Sequence, residues 1–322
     1  MAELYPFRFL PIFRRYLWGG RRLATVLGKE IGDETCAESW ELVDHGQDQS
    51  VVLAGPLTGT TLQQLVAQHG RQLLGRHHPQ ESFPLLVKFL DAQKTLSVQV
   101  HPDDARAARL DPPDRGKAEA WVVLAAEPGS RIYAGLKRGF DRAALARELD
   151  RGTCELCLHQ FEPRPGDCVF LPAGAVHALG EGLLVAEIQQ ASDTTYRLFD
   201  WNRVGPDGKP RELHIEQGLE AIDYELGPIE PQVPRPTDRP GVERLVACDK
   251  FVLDRATFAG PHTLGGDDRC HIVAVLQGNV DLEGDPAGQP LVKGQTALLP
   301  AGCGPVRLTA REATVLLDAY LP

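Results

Sequence analysis

No stretch of this 322-residue chain approaches the roughly 20 consecutive apolar residues of a membrane span, which excludes a spanning helix. Positive charge is also short: 34 Lys and Arg stand against 44 Asp and Glu, for a net charge of −10 at pH 7. That balance argues against nucleic acid and against an anionic membrane surface as partners. An anionic substrate would need a local cluster of Lys or Arg. The opening segment, MAELYPFRFLPIFRRYLWGG, scatters its arginines and lacks a basic start followed by an apolar block. It reads as mature sequence, and the expected location is cytoplasmic. Seven widely spaced cysteines, an odd number, exclude a disulfide framework. Cys154 and Cys157 form a lone CxxC with no second pair, so buried or incidental thiols are expected. Gly19-Gly20 is followed by no GKS/T and is not a phosphate loop.

What the chain does have is short strands. VVLAG (51–55), LSVQVH (96–101), AWVVLAA (120–126), DCVFLPAG (167–174) and LLVAEI (183–188) are separated by Gly, Pro and Asp turns. Helical patterns are few: 60–75, 141–152 and 211–226. The last is followed by GPIEPQVPRPTDRPG (227–241), too rich in proline for a regular element and read as a linker. Strands resume beyond it in FVLDRATF, HIVAVLQGNVDLE, TALLPAG, VRLTA and ATVLLDAYL.

The two halves repeat a pattern. EPRPGDCVFLPAGAVHAL and PLVKGQTALLPAGCGPVRL both run from Gly and a polar residue through an apolar strand to Leu-Pro-Ala-Gly and a further strand. A repeated small β unit predicts a mainly β fold of two cupin-type jelly-roll barrels with a few helices inserted. The expected division is an N-terminal barrel with helical segments over 1–235 and a C-terminal, metal-free barrel over 236–322.

Within LSVQVHPDD the alternation puts Leu96, Val98 and Val100 on one face and Ser97, Gln99 and His101 on the other. An amide and an imidazole side by side suit ligation better than solubility. Glu119 opens the strand in GKAEAW, and His177 follows the Pro-Ala-Gly turn. Gln99, His101, Glu119 and His177 together make a mixed N/O set for zinc or another divalent first-row ion. With no thiolate among them, such a site could keep positions open for water or substrate.

The segments FLDAQKTLSVQVHPDD, GKAEAW, FLPAGAVHALGEGLLVAEIQQASDTTYRLFDWNR and RELHIEQGLEAID, with WGGRRL and ESWELVDH earlier, resemble type I mannose-6-phosphate isomerase in its short bacterial form. The resemblance spans nearly the whole chain. It implies a zinc-dependent aldose–ketose isomerase interconverting mannose 6-phosphate and fructose 6-phosphate. It also implies metal ligands at His101, Glu119 and His177, with Gln99 as a further ligand in longer members, and an active-site arginine at Arg197. The lysine and glutamate of GKAEAW stay in place although their neighbours differ from the relatives' KTECW-like segment.

The chemistry then asks for more than a metal. Moving a proton between carbons 2 and 1 of the open sugar passes through an enediolate, whose charge a metal or a fixed cation stabilises. Arg197 can supply that cation. Lys117 shares a strand face with Glu119 and is a candidate proton shuttle; Glu187 and Asp193 are carboxylate alternatives. Arg203 and Ser97 are candidates for the phosphate, with Glu187 also placed at the substrate, although Arg203 could instead pair with Asp200 or Asp207. Lys88, interrupting an apolar run, is either a cation reaching the pocket or a snorkelling edge residue. Rival functions are another metal-dependent cupin enzyme and a non-catalytic sugar-phosphate sensor. The C-terminal repeat has Cys303-Gly304-Pro305 where the other has its histidine, and His262 and His271 have no acid at ligand spacing. One zinc ion per chain is therefore expected.

Overall fold

The computed structural model describes residues 4–204 and 208–322. Antiparallel strands dominate, as the repeat predicts, and the chain divides into two units that are discontinuous in sequence. One comprises Arg15–Gly20 and Leu90–Gln232; the other comprises Met1–Arg14, Arg21–Phe89 and Val233–Pro322. The expected cut at 235/236 lies near the crossing at Gln232/Val233, whereas residues 21–89 group with the C-terminal strands.

The first unit carries the residues singled out above. Its five-stranded sheet runs in the order Leu158–Phe161, Ile132–Leu136, His177–Leu179, Val98–Val100, Tyr196–Phe199. Facing it, Glu119–Ala126 pairs with Cys168–Leu171 on one side and with Leu183–Gln190 on the other. The alternation at 96–101 holds, but with a change of meaning. Val98 and Val100 pack on Leu145, Leu149, Leu198 and Leu219 in an apolar layer between the sheet and its helices. The polar face looks into the barrel instead of toward water, and His101 is only 1% exposed. A polar face buried this deeply is costly unless its groups are paired or ligate something.

The helix Arg142–Arg151 follows its sequence pattern, with Asp141 accepting from the Ala144 N–H at 2.8 Å as N-cap. The pattern over 211–226 yields only Ile215–Ala221. Residues ahead of that helix are held by the neighbouring strand. The His214 N–H donates to Arg197 O at 2.7 Å, and its ring Nδ1 accepts the Arg197 N–H at 3.2 Å. A helix running back to 211 would need the His214 N–H for its own ladder, so the bond to Arg197 O leaves the helix to start at Ile215. Cys154 and Cys157 lie in a short turn as free, buried thiols, and burial pushes Cys154 up to about 12. That is the bland reading of the CxxC pair.

The second unit holds a six-stranded sheet, Arg235–Pro236, Val242–Ala247, Val252–Phe258, Thr314–Tyr320, His271–Gln277, Thr296–Leu299. Its partner sheet is Pro261–Gly265, Pro305–Ala310, Asn279–Leu282, Leu291–Val292. Val273, Val275, Leu299, Leu308 and Leu316 fill the space between. The proline-rich stretch 227–241 is irregular apart from Arg235–Pro236. N-terminal residues join this unit through specific bonds: Phe7 bridges Leu298, Arg8 pairs with Asp285 at 2.5 Å, and Thr296 Oγ1 donates to Glu41 at 3.4 Å. Lys88 is interior, 4.6 Å above the Trp40 ring and 3.8 Å from Glu38, so it is no edge residue. A cavity of about 1010 Å³ lies among Arg8, Lys29, Glu41, Leu53, Val292 and Thr296. Lys29 Nζ stands 2.6 Å from Glu41 in its wall, and none of the sequence-assigned site residues lines it.

His271 departs from the sequence reading. Acids reach it from elsewhere in the fold: Nδ1 lies 2.8 Å from Asp318 on the paired strand, and Nε2 lies 3.1 Å from Asp267. Burial alone would lower its pKa, but the two carboxylates outweigh it and raise it to about 9. A group whose folded pKa exceeds its unfolded value stabilises fully below the unfolded value, near 6.5, and loses that contribution as pH rises through about 9. Resistance of this unit to urea should therefore fall between pH 7 and 10, by on the order of 3 kcal/mol in total. His271→Asn should flatten that slope. Equal slopes for both proteins would show that the imidazole does not drive it.

Candidate metal centre

Three elements converge inside the first unit. The strand Val98–Val100 aligns Gln99 with His177 on one neighbour and with Arg197 on the other, so these three residues form one row across the sheet. His101 follows at the end of the same strand. From the facing strands, Glu119 stands opposite Gln189 and Trp121 opposite Glu187. The turn before His177 needs Gly174, whose φ of +86° is open to few side chains and whose N–H donates to His101 O at 2.9 Å. That bond ties the two histidine segments together.

The ligand atoms point at one another. His177 Nε2 is 3.1 Å from Glu119 Oε1, and His101 Nε2 is 3.4 Å from Glu119 Oε2. Among the described residues, His101, Glu119 and His177 are the one group whose potential ligand atoms meet, all within 4.8 Å of one another, and all three are buried. Both rings are fixed from behind. His101 Nδ1 donates to Thr194 O at 3.0 Å and His177 Nδ1 to Ala175 O at 2.9 Å, which leaves each Nε2 as the lone-pair nitrogen facing inward. Burial and then the charge of Lys117 push His101 down to about 3, so it is neutral, as a ligand must be. For Glu119 burial works in the opposite direction, but Lys117 and the two imidazoles outweigh it and hold the carboxyl well below the usual range.

Lys117 completes the cluster. Its Nζ lies 3.1 Å from both His101 Nε2 and Glu119 Oε2. Even so, neither oxygen of Glu119 accepts a hydrogen bond of good geometry, although both are buried. A buried carboxylate without aimed donors, facing two imidazole lone pairs, is a donor set that fits a divalent cation. Gln99 Nε2 stands 3.2 Å from His177 Nε2 at the edge of this set.

Comparison with known proteins now bears on the site. Residues 7–128 match the family model described as phosphomannose isomerase type I, catalytic domain. The chain is similar to mannose-6-phosphate isomerase ManA of Bacillus subtilis, 34% identical over 313 residues, covering 94% of this chain and 95% of the relative. The chain belongs to the type I phosphomannose isomerases. It is also similar to mannose-6-phosphate isomerase of Streptococcus mutans, 34% identical over 286 residues that cover 88% of this chain and 89% of the relative. The solved structure of mannose 6-phosphate isomerase from Bacillus subtilis superposes with a TM-score of 0.90 at 29% identity, covering 99% of this chain and all of that one. The enzyme class is thus an isomerase acting on a sugar phosphate, and the fold is the cupin fold of that family. No helix among the described residues is long and apolar enough to cross a membrane.

In this phosphomannose isomerase, the residues expected from sequence divide by geometry. Gln99, His101, Lys117, Glu119 and His177 form one contact cluster, and Arg197 neighbours it through its register with Gln99. Glu187 is buried two pairs further along the same strands, where its Oε2 accepts the Trp121 indole N–H at 2.8 Å. Asp193 is exposed at a turn. Ser97 is buried at the start of the ligand strand. Arg203 is committed elsewhere: Nε and Nη2 donate to Asp200 O and Oδ1 at 3.2 and 2.5 Å, and Nη1 donates to Thr95 O at 2.5 Å. Asp200 also accepts from Arg211. The ion-pair reading of Arg203 with Asp200 describes this geometry; Asp207 lies outside the described residues.

Sequence reasoning missed the residues that hold Lys117 in place. Asp104 Oδ1 accepts from the Gly116 N–H at 2.8 Å and from Gln190 Nε2 at 3.0 Å, and Gln190 Oε1 accepts the Ala118 N–H at 3.0 Å. Both neighbours of Lys117 are thereby pinned. Gly116 is required by close approach, since a Cβ there would meet Asp104 N at 2.5 Å. Asp104 ends the visible HPDD motif, but its partners come from distant segments.

Proposed function

We propose that His101, Glu119 and His177, with Gln99 at their edge, hold one zinc ion per chain. The enzyme then interconverts mannose 6-phosphate and fructose 6-phosphate through an enediolate. The convergence of two Nε2 lone pairs on a buried carboxylate that accepts no well-formed hydrogen bond carries this reading. Zinc bound there would polarise the oxygens on carbons 1 and 2 of the open-chain sugar. The remaining work falls to the protein. Arg197, always protonated and in the same sheet row as Gln99 and His177, stabilises the negative charge that develops on the sugar.

Lys117, fixed from both sides, is the group we assign to carrying the proton between the two carbons. Glu187, oriented by the Trp121 indole, accepts from a sugar hydroxyl. Ser97, a hydroxyl on the ligand strand, serves the phosphate. Arg203, whose three nitrogens all donate within the protein, buttresses the Asp200 segment.

A coupled assay of fructose 6-phosphate formation from mannose 6-phosphate tests the proposal. Turnover should disappear after chelator treatment and return on adding zinc. Full turnover in chelated, metal-free protein would overturn the zinc assignment. A zinc-loaded protein that binds the sugar phosphate without converting it would overturn the catalytic one.

A further inference from the structure

The 111–115 loop, DPPDR, contributes nothing to the cluster directly, yet one of its carboxylates reaches the segment that orients His101. Asp114 Oδ2 accepts the Ser192 Oγ–H at 2.8 Å and the Thr194 Oγ1–H at 2.6 Å. Ser192 is fully buried, its Oγ also accepts the Thr194 N–H at 3.2 Å, and its carbonyl accepts from Gln189 Nε2 at 2.7 Å. These bonds set the turn 192–194, and the carbonyl that this turn presents, Thr194 O, is the acceptor for His101 Nδ1–H at 3.0 Å. Asp114 is itself placed by its neighbours: its N–H donates to Ala107 O at 3.0 Å, and its Oδ1 accepts the Arg115 N–H at 2.7 Å. A continuous path of hydrogen bonds therefore runs from a loop near the surface to the back of one ligand ring.

From this path we infer that Asp114 is a positioning residue for the metal centre: it locks the 192–194 turn, and through the Thr194 carbonyl it fixes the His101 tautomer that turns Nε2 inward. The inference rests on the zinc reading above. Two hydroxyls donate to the same oxygen, and without it both would need new partners in a largely buried place. A turn freed to rearrange would release the carbonyl from Nδ1, and a neutral imidazole without that acceptor populates both tautomers. Only one of them presents a lone pair to a metal. Partners of this kind behind a ligand histidine typically carry a 10- to 100-fold effect on metal affinity. His177 provides an internal control, because Ala175 O holds its Nδ1 and the 192–194 turn does not.

The test is run on the full chain with two readouts. Zinc affinity is measured by chelator competition, and the ring tautomers of His101 and His177 are read from nitrogen-15 shifts of metal-free protein. Asp114→Ala should weaken zinc roughly 10- to 100-fold and give a mixed tautomer at His101 alone, with His177 unchanged. Asp114→Asn keeps a carbonyl oxygen for the two hydroxyls and should restore affinity to within about threefold of the original. The double change Ser192→Ala with Thr194→Val removes the hydroxyls without touching Asp114, and should reproduce the alanine result. It also provides the test if Asp114→Ala does not fold. Original zinc affinity together with an unchanged His101 tautomer in Asp114→Ala or in the Ser192→Ala, Thr194→Val double variant would overturn the inference. Failure of the unaltered chain to bind zinc would instead overturn the metal reading.

Discussion

Replacing His177 by alanine should abolish zinc binding and lower isomerase turnover by about a thousandfold or more, while the chain stays folded. His177 is one of two imidazoles in a set of three close donors, and losing one ligand from so small a set weakens affinity by orders of magnitude. Its ring is wedged in the barrel, 4.9 Å from that of His101 and edge-on to Trp121 at 5.3 Å. The apolar layer that holds the sheet to its helices lies on the opposite face, so the hole left behind does not reach it. Elemental analysis, turnover and a thermal melt on one preparation check all three statements. Undiminished turnover in a zinc-free variant would remove His177 from the site.

Arg197→Lys should separate chemistry from metal content. Lysine keeps the charge but lacks the planar fork, and turnover should fall roughly ten- to a thousandfold. Arg197 Nη1 donates to Glu212 O at 2.8 Å, and the Arg197 backbone is bonded to His214 on the same returning segment. The guanidinium is thus held by the chain and does not ligate, so zinc content should match that of the unaltered enzyme. Loss of zinc in this variant would mean that Arg197 has been misplaced relative to the cluster.

The members of the cluster were legible because strand alternation and turn motifs are local signals. Gln99 and His101 share one strand face, Glu119 opens a strand, and His177 follows its glycine turn. Illegible were the contacts whose partners are far apart in sequence. Ser192 and Asp114 are 78 residues apart, and Gln190 and Asp104 are 86. His271 gained Asp318 the same way, through a strand pairing that spacing could not disclose, whereas its second acid, Asp267, stands only four residues upstream. Which face of LSVQVH is the wet one was also beyond local reading. Ser97 and His101 on the polar face are buried like Val98 and Val100 on the apolar one, with Gln99 half-buried between them, and alternation alone carries no sign. The helix over 211–226 was over-read because apolar periodicity does not register competition from a neighbouring strand for backbone donors.

The division of the chain also bears on its biosynthesis. Residues 21–89 emerge early but belong with strands that begin only at Val233, whereas the ligand-bearing residues 90–232 are contiguous apart from Arg15–Gly20. The five-stranded sheet, drawn wholly from residues 98–199, can therefore form before the last hundred or so residues are made. Phe7, fully buried and bridged to Leu298, and Arg8, paired with Asp285, must wait until the last strands leave the ribosome. At about 5–20 residues per second that delay is some tens of seconds, long enough for a nascent-chain chaperone to bind. A holdase should thus engage the nascent chain around Phe7 and leave once the strand Thr296–Leu299 is in place.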